Sequence, residues 1–108
     1  MKKFILAFLL IFLSVSVVMA DSYEAVTIAN ASKELTAATY GRARAGLCRL
    51  ETAPIRYTLD GSTVPTDAVG ILINPLEWII LENLDQIRNF RGYRTTGTSG
   101  SLKCFYFN

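Results

Sequence analysis

The chain has 108 residues, 51% of them hydrophobic and 19% charged, with 11 basic residues against 9 acidic ones and no histidine. Without histidine, the commonest general base and metal ligand, the sequence excludes Ser-His-Asp triads, zincin sites and histidine metal clusters. Lys2 and Lys3 lie in an N-terminal leader, and without them the remaining basic residues equal the acidic ones; that neutrality speaks against nucleic-acid binding, which needs a large single-sign field.

Residues 1 to 20 have a basic start, an uncharged apolar run from Phe4 to Val18, and small residues before Asp21. This is the layout of a secretory signal peptide, with Val18 and Ala20 where a signal peptidase accepts small side chains. The competing reading is an uncleaved anchor helix. The run from Phe4 to Met19 would span about 24 Å as a helix, short of the roughly 30 Å hydrocarbon core. We therefore expect export to the periplasm, the extracellular space or the cell surface, with membrane contact only if residues 1–20 are retained.

Residues 21–108 form one domain, since a chain of this size supports a single small core. They are rich in Thr, Val, Ile, Tyr and Phe, with Gly, Pro, Asn and Asp recurring between short runs, which is all-β punctuation. Tyr23 to Ala29, Ala43 to Glu51 and Ile55 to Leu59 read as the first three strands. Ile55, Tyr57 and Leu59 share one face of the third, and Arg56 and Thr58 the other. Asp60-Gly61 ends it, because Asp can hydrogen-bond its own turn and Gly tolerates positive φ.

Val69 to Ile73, Glu77 to Leu81, Phe90 to Arg94 and Leu102 to Phe107 complete about seven strands, with Asn74-Pro75 as a turn. Leu76, Ile80, Leu84 and Ile87 would also suit a helix. Trp78 to Leu81 is a continuous bulky run better suited to a buried strand, so we predict a strand followed by one helical turn over Glu82 to Ile87. Thr95 to Ser101 reads as a polar hairpin or loop. Short, evenly spaced strands predict a β-sandwich or a small jelly-roll-like barrel.

Cys48 and Cys104 are the only cysteines, on different predicted strands of an exported chain. A disulfide between them would stabilise the domain by roughly 2–4 kcal/mol; the alternative is two buried thiols that never meet. Glu51, Asp60 and Asp67 are oxygen ligands in type but lack the dense spacing of a calcium loop, so they read as turn formers. No metal or other cofactor is expected, and no nucleophile has a recognisable environment, so we expect a protein that is not an enzyme.

Arg42, Arg44, Arg49 and Arg56, and then Arg88, Arg91 and Arg94, lie among Tyr40, Tyr57, Phe90 and Tyr93. Balanced charge favours a solvated face or a subunit interface over polyanion binding. Arg56, Arg91 and Tyr93 are the interface candidates, for a protein partner or a homo-oligomer. Trp78 and Tyr93 are candidates for the alternative, a carbohydrate-binding module. In Phe105-Tyr106-Phe107, alternation puts Tyr106 on the face opposite its neighbours, and Asn30-Ala31-Ser32 matches a glycosylation sequon.

The run from Ala43 to Tyr93, with Glu51, Ile55-Arg56-Tyr57, Asp60-Gly61, Pro65-Thr66, Gly70 and Phe90-Arg91, resembles small, mostly uncharacterised phage-encoded β-proteins. The resemblance spans about half of the chain. It implies a compact β-sandwich-like module, a virion decoration or accessory protein, and assigns no catalytic residues. The chain departs from that pattern in carrying an export leader and in having Asn74-Pro75 where a Gly-Asp turn is expected. Tyr57 to Thr66 is also similar to a hairpin of accessory β-sandwich domains in secreted glycan-degrading enzymes, a likeness of turn chemistry that bears on fold more than on any sugar site. The function expected is that of a non-catalytic, exported structural or assembly module.

Overall fold

A computed structural model describes residues 21–108, so the predicted leader and its helix lie outside the described residues. In chain order the elements are β1 (Ser22–Ile28), β2 (Lys33–Glu34), α1 (Ala37–Tyr40), β3 (Ala45–Glu51), β4 (Ile55–Thr58), β5 (Ile71–Ile73), β6 (Trp78–Leu81), α2 (Leu84–Asn89), β7 (Arg91–Arg94) and β8 (Gly100–Phe107). The strands form two four-stranded antiparallel sheets, ordered β1-β8-β3-β6 and β2-β7-β4-β5. Every connection except β4 to β5 leaves one sheet for the other.

The first sheet alternates strictly. Val26 and Ile28 of β1, Cys48 and Leu50 of β3, Ile79 and Leu81 of β6, and Leu102, Cys104 and Tyr106 of β8 point inward. The second sheet contributes Ile55 and Ile73 to the same buried cluster, and Phe90 and Ile87 join it from the segment before β7. Gly100 of β8 packs closely against β4 in the facing layer. A β-carbon there would fall 2.6 Å from a methyl of Ile55 and 2.9 Å from the Ala53 carbonyl oxygen, so only glycine fits without displacing β4.

Cys48 and Cys104 sit directly opposite each other on β3 and β8 and are bridged, with both residues fully buried. Tyr106 is also fully buried, and its hydroxyl donates to Glu24 Oε2 at 2.6 Å while its ring meets Tyr40 edge-on. Glu24 Oε2 accepts in addition from the Thr36 amide, which ties the β2–α1 segment to the first sheet. Burial, and then the hydrogen bond to Glu24, push the Tyr106 hydroxyl well above its ordinary range. At the same corner the Asp21 amide donates to Tyr106 O at 2.9 Å and the Asn108 amide to Asp21 Oδ2 at 2.6 Å.

Several expectations need correction. The described residues hold eight strands and not seven, because the two-residue β2 is too short to carry a sequence pattern. Trp78 to Leu81 is not a strand buried on both faces: β6 is an edge strand, with Ile79 and Leu81 buried but Trp78 51% and Ile80 68% exposed. The helical turn after it is present as the six residues of α2, capped by Asn83 Oδ1, which accepts from the Gln86 amide at 2.9 Å. Of the two readings of the segment after β7, hairpin or loop, the structure has the loop, which passes between sheets since β7 and β8 do not pair.

Two changes test these supports in urea unfolding. Replacing both cysteines by alanine should lower stability by roughly 2–4 kcal/mol, from the freed loop in the unfolded chain. Gly100→Ala, which keeps the bridge, should cost about 1–3 kcal/mol through overpacking alone.

Candidate functional site

Arg56 and Tyr93 are direct cross-strand partners on β4 and β7, and Arg91 lies two residues from Tyr93, on the same outward face of the second sheet. The structure thus brings the three predicted interface residues together. The two guanidinium groups are, however, engaged within the chain. Arg56 donates from Nε to Asp67 O at 3.1 Å and from Nη1 to Gly70 O at 3.0 Å. Arg91 donates from Nη2 to Gly61 O at 3.3 Å, and its Nε lies 3.8 Å from a Glu34 carboxylate oxygen.

The arginines therefore clasp the segment between β4 and β5 at both ends. Within that segment Asp60 Oδ1 accepts from the Ser62 and Thr63 amides at 3.1 and 2.8 Å, and its other oxygen accepts from the Thr63 hydroxyl. These bonds, led by that from the Thr63 hydroxyl, hold the Asp60 carboxyl at about 2, below its ordinary 3.8. Thr66 Oγ1 closes a second turn by accepting from the Ala68 and Val69 amides, and Pro65 is fully buried beneath. Between this segment and β5 runs an open groove of about 390 Å³ bordered by Tyr57, Leu59, Thr63 and Ile71. Tyr57 stacks on Phe90 with ring centroids 5.8 Å apart, and burial raises its hydroxyl above the ordinary range.

Trp78 and Tyr93 do not form one site. Trp78 projects from the outer face of the first sheet and Tyr93 from the outer face of the second. Trp78 instead stacks against Arg49, whose guanidinium carbon lies 5.2 Å from the ring centre. Glu51, Asp60 and Asp67 are likewise dispersed, with Glu51 paired to Lys103 at 2.7 Å, and no group of three metal-ligating residues occurs among the described residues. That ion pair holds the Lys103 ammonium above its ordinary range.

The outer face of the first sheet holds residues that the sequence reading did not select. Tyr23, Phe105, Leu47 and Ile80 are successive cross-strand partners on β1, β8, β3 and β6, so they form one row across the whole sheet. Tyr23, Phe105 and Ile80 are 49%, 43% and 68% exposed, and the rings of Tyr23 and Phe105 lie 5.1 Å apart. The adjacent row is Ala25, Lys103, Arg49 and Trp78. At about 4.8 Å per strand the apolar row is roughly 15–20 Å long, and such a band is unusual on a face left to water. The available signal was the apolar run at consecutive positions in Trp78–Leu81 and in Phe105–Phe107, which makes both faces of β6 and β8 apolar.

Comparison of the chain with protein-family models, curated proteins and solved structures finds no match. No helix among the described residues is long and apolar enough to cross a membrane. The buried disulfide is consistent with an oxidising, exported environment.

The Asp60 turn should respond to acid. A carboxyl held below its unfolded value stabilises the folded turn above about pH 4, and that contribution is lost as pH falls towards 2. Amide chemical shifts of Ser62 and Thr63 should titrate in this window, and Asp60→Asn should abolish the titration.

Proposed function

We propose that the protein is a non-catalytic, exported structural or assembly module that makes protein contacts through the outer face of its first sheet. One observation carries the reading: the unbroken row Tyr23–Phe105–Leu47–Ile80 on a sheet whose other face already fills the core. Burying such a row removes large apolar side chains from water, the main source of favourable energy in association. Lys103, Glu51 and Arg49 beside it make a polar border of the kind that surrounds interface cores.

The two facing sheets support the finer β-sandwich reading of the fold, and the crossing connections agree with a Greek-key or jelly-roll-like path. A rigid module with one apolar face fits the virion-accessory or cell-surface role that the phage-like resemblance implies. Arg56 and Arg91, the candidates on the second sheet, act in this reading as anchors of the segment between β4 and β5 and contribute to assembly through its shape.

Light scattering of the protein purified without reductant measures its assembly mass. Replacing Phe105 and Ile80 together by serine should weaken the assembly at least about tenfold while amide dispersion and the disulfide persist, since interface anchors of this size are worth about 1–3 kcal/mol each. A wild-type mass equal to one chain, with no partner retained, would refute the reading. The intact mass of the protein from its natural source should correspond to Asp21–Asn108, less the hydrogens lost in forming the Cys48–Cys104 bridge. A mass that includes residues 1–20 would replace export by retention on a membrane.

A further inference from the structure

An open cleft of about 470 Å³ lies where the end of β7 and the loop after it meet Asn30, which follows β1, and Asp67 of the β4–β5 segment. It is lined by Asn30, Asp67, Tyr93, Arg94 and Thr96, so nearly every side chain facing it is polar. The backbone of the cleft is fixed: the Arg94 amide donates to Ala29 O at 3.0 Å, the Thr95 hydroxyl to Pro54 O at 3.1 Å, and Arg56 holds Asp67 O at 3.1 Å. The side chains of Asp67 and Arg94 are in a different condition. Neither the carboxylate nor the guanidinium has a hydrogen-bond or ionic partner among the described residues, although both border the same space.

The chemistry of these groups narrows the ligand. Asp67 only accepts hydrogen bonds, Arg94 only donates, and the Asn30 amide does both. An anion would meet the Asp67 carboxylate and a cation the Arg94 guanidinium, so the opposed charges disfavour either. A neutral ligand with adjacent hydroxyl groups satisfies both at once, because each hydroxyl gives one proton and accepts others. Tyr93 borders the same cleft. The volume suits a small molecule and not a protein segment, since small-ligand sites span about 300–1,000 Å³.

The geometry points to a binding site for a neutral pyranose, with Asp67 accepting from one hydroxyl, Arg94 and Asn30 donating to its neighbours, and Tyr93 at the border of the cleft. The site is independent of the assembly face, because it lies on the second sheet and the loops at its end, and Trp78 takes no part in it.

The test is a titration of the full chain with the methyl glycosides of glucose, galactose and mannose, followed by backbone-amide NMR. At least one glycoside should give saturable shifts at Thr95, Thr96 and Gly97 with an affinity of about millimolar, as expected for a small open site. Asp67→Ala and Arg94→Ala should each weaken that affinity about tenfold or more, the usual effect of losing a hydrogen bond to a charged group. Both variants keep the fold-bearing contacts, because Asp67 serves Arg56 through its carbonyl and Arg94 serves Ala29 through its amide. Trp78→Ala should bind as the wild type does. Absence of saturable shifts with all three glycosides, binding that survives both cleft variants, or stronger shifts at the same amides from sulfate or methylammonium would each overturn the assignment. None of these outcomes depends on the assembly mass, so this inference and the proposed assembly role stand or fall separately.

Discussion

The pairing of β8 with β3, joined covalently at Cys48 and Cys104, determines which way every other residue of the first sheet faces. Side chains alternate along a strand, so sliding β8 by one position would bring Leu102 and Tyr106 out to water and Phe105 and Lys103 into the core. The bridge forbids that slip, and β1 then takes its register from β8. Both the buried hydroxyl of Tyr106, which needs Glu24 diagonal to it on β1 to accept its hydrogen bond, and the outward apolar row follow from the same register. The core and the candidate interface are therefore two results of one alignment.

The second sheet is organised by polar contacts more than by apolar ones. Its longest connection, from Leu59 to Gly70, leaves Val64 and Val69 exposed and is held by Asp60, Thr66 and the two arginines. Charged hydrogen bonds to carbonyl oxygens are among the stronger polar interactions available to a small domain. They explain part of what the arginine-rich strands do: the guanidinium groups of Arg56 and Arg91 are spent on the chain's own backbone. Asp67 and Arg94 stand out against that pattern, because the backbone around them is tied down while their charged groups are not.

Much of the architecture was readable from residue pattern. The alternation in Ile55-Arg56-Tyr57, the turn at Asp60-Gly61, the helical turn after Leu81 and the separation of Tyr106 from Phe105 onto opposite faces all appear in the structure. The proximity of Cys48 and Cys104 remained open in the sequence because strand order is set by contacts between distant segments, and here nearly every connection changes sheet. The apolar run at Trp78–Leu81 suits a buried strand by composition, which the single chain fulfils on one face only. That mismatch is itself informative: β6 has the sequence of an inner strand and the position of an edge. For Arg56 and Arg91, pattern shows that the side chains point outward and not which carbonyl each reaches.

The meeting of Asp21 with Asn108 gives the molecule a mechanical character. Because β1 and β8 run antiparallel and these two residues cap the same end of the pair, tension applied between them opens the sheet like a zip, one cross-strand pair after another, instead of shearing all pairs together. Peeling of β8 from β3 would begin at Phe107 and halt at Cys104, where a covalent bond replaces a hydrogen bond. Only the short stretch beyond Cys104 can be drawn away from β3 before that stop. A load carried along the chain would thus peel β1 from β8 at low force while β8 stays fastened to β3 at Cys104.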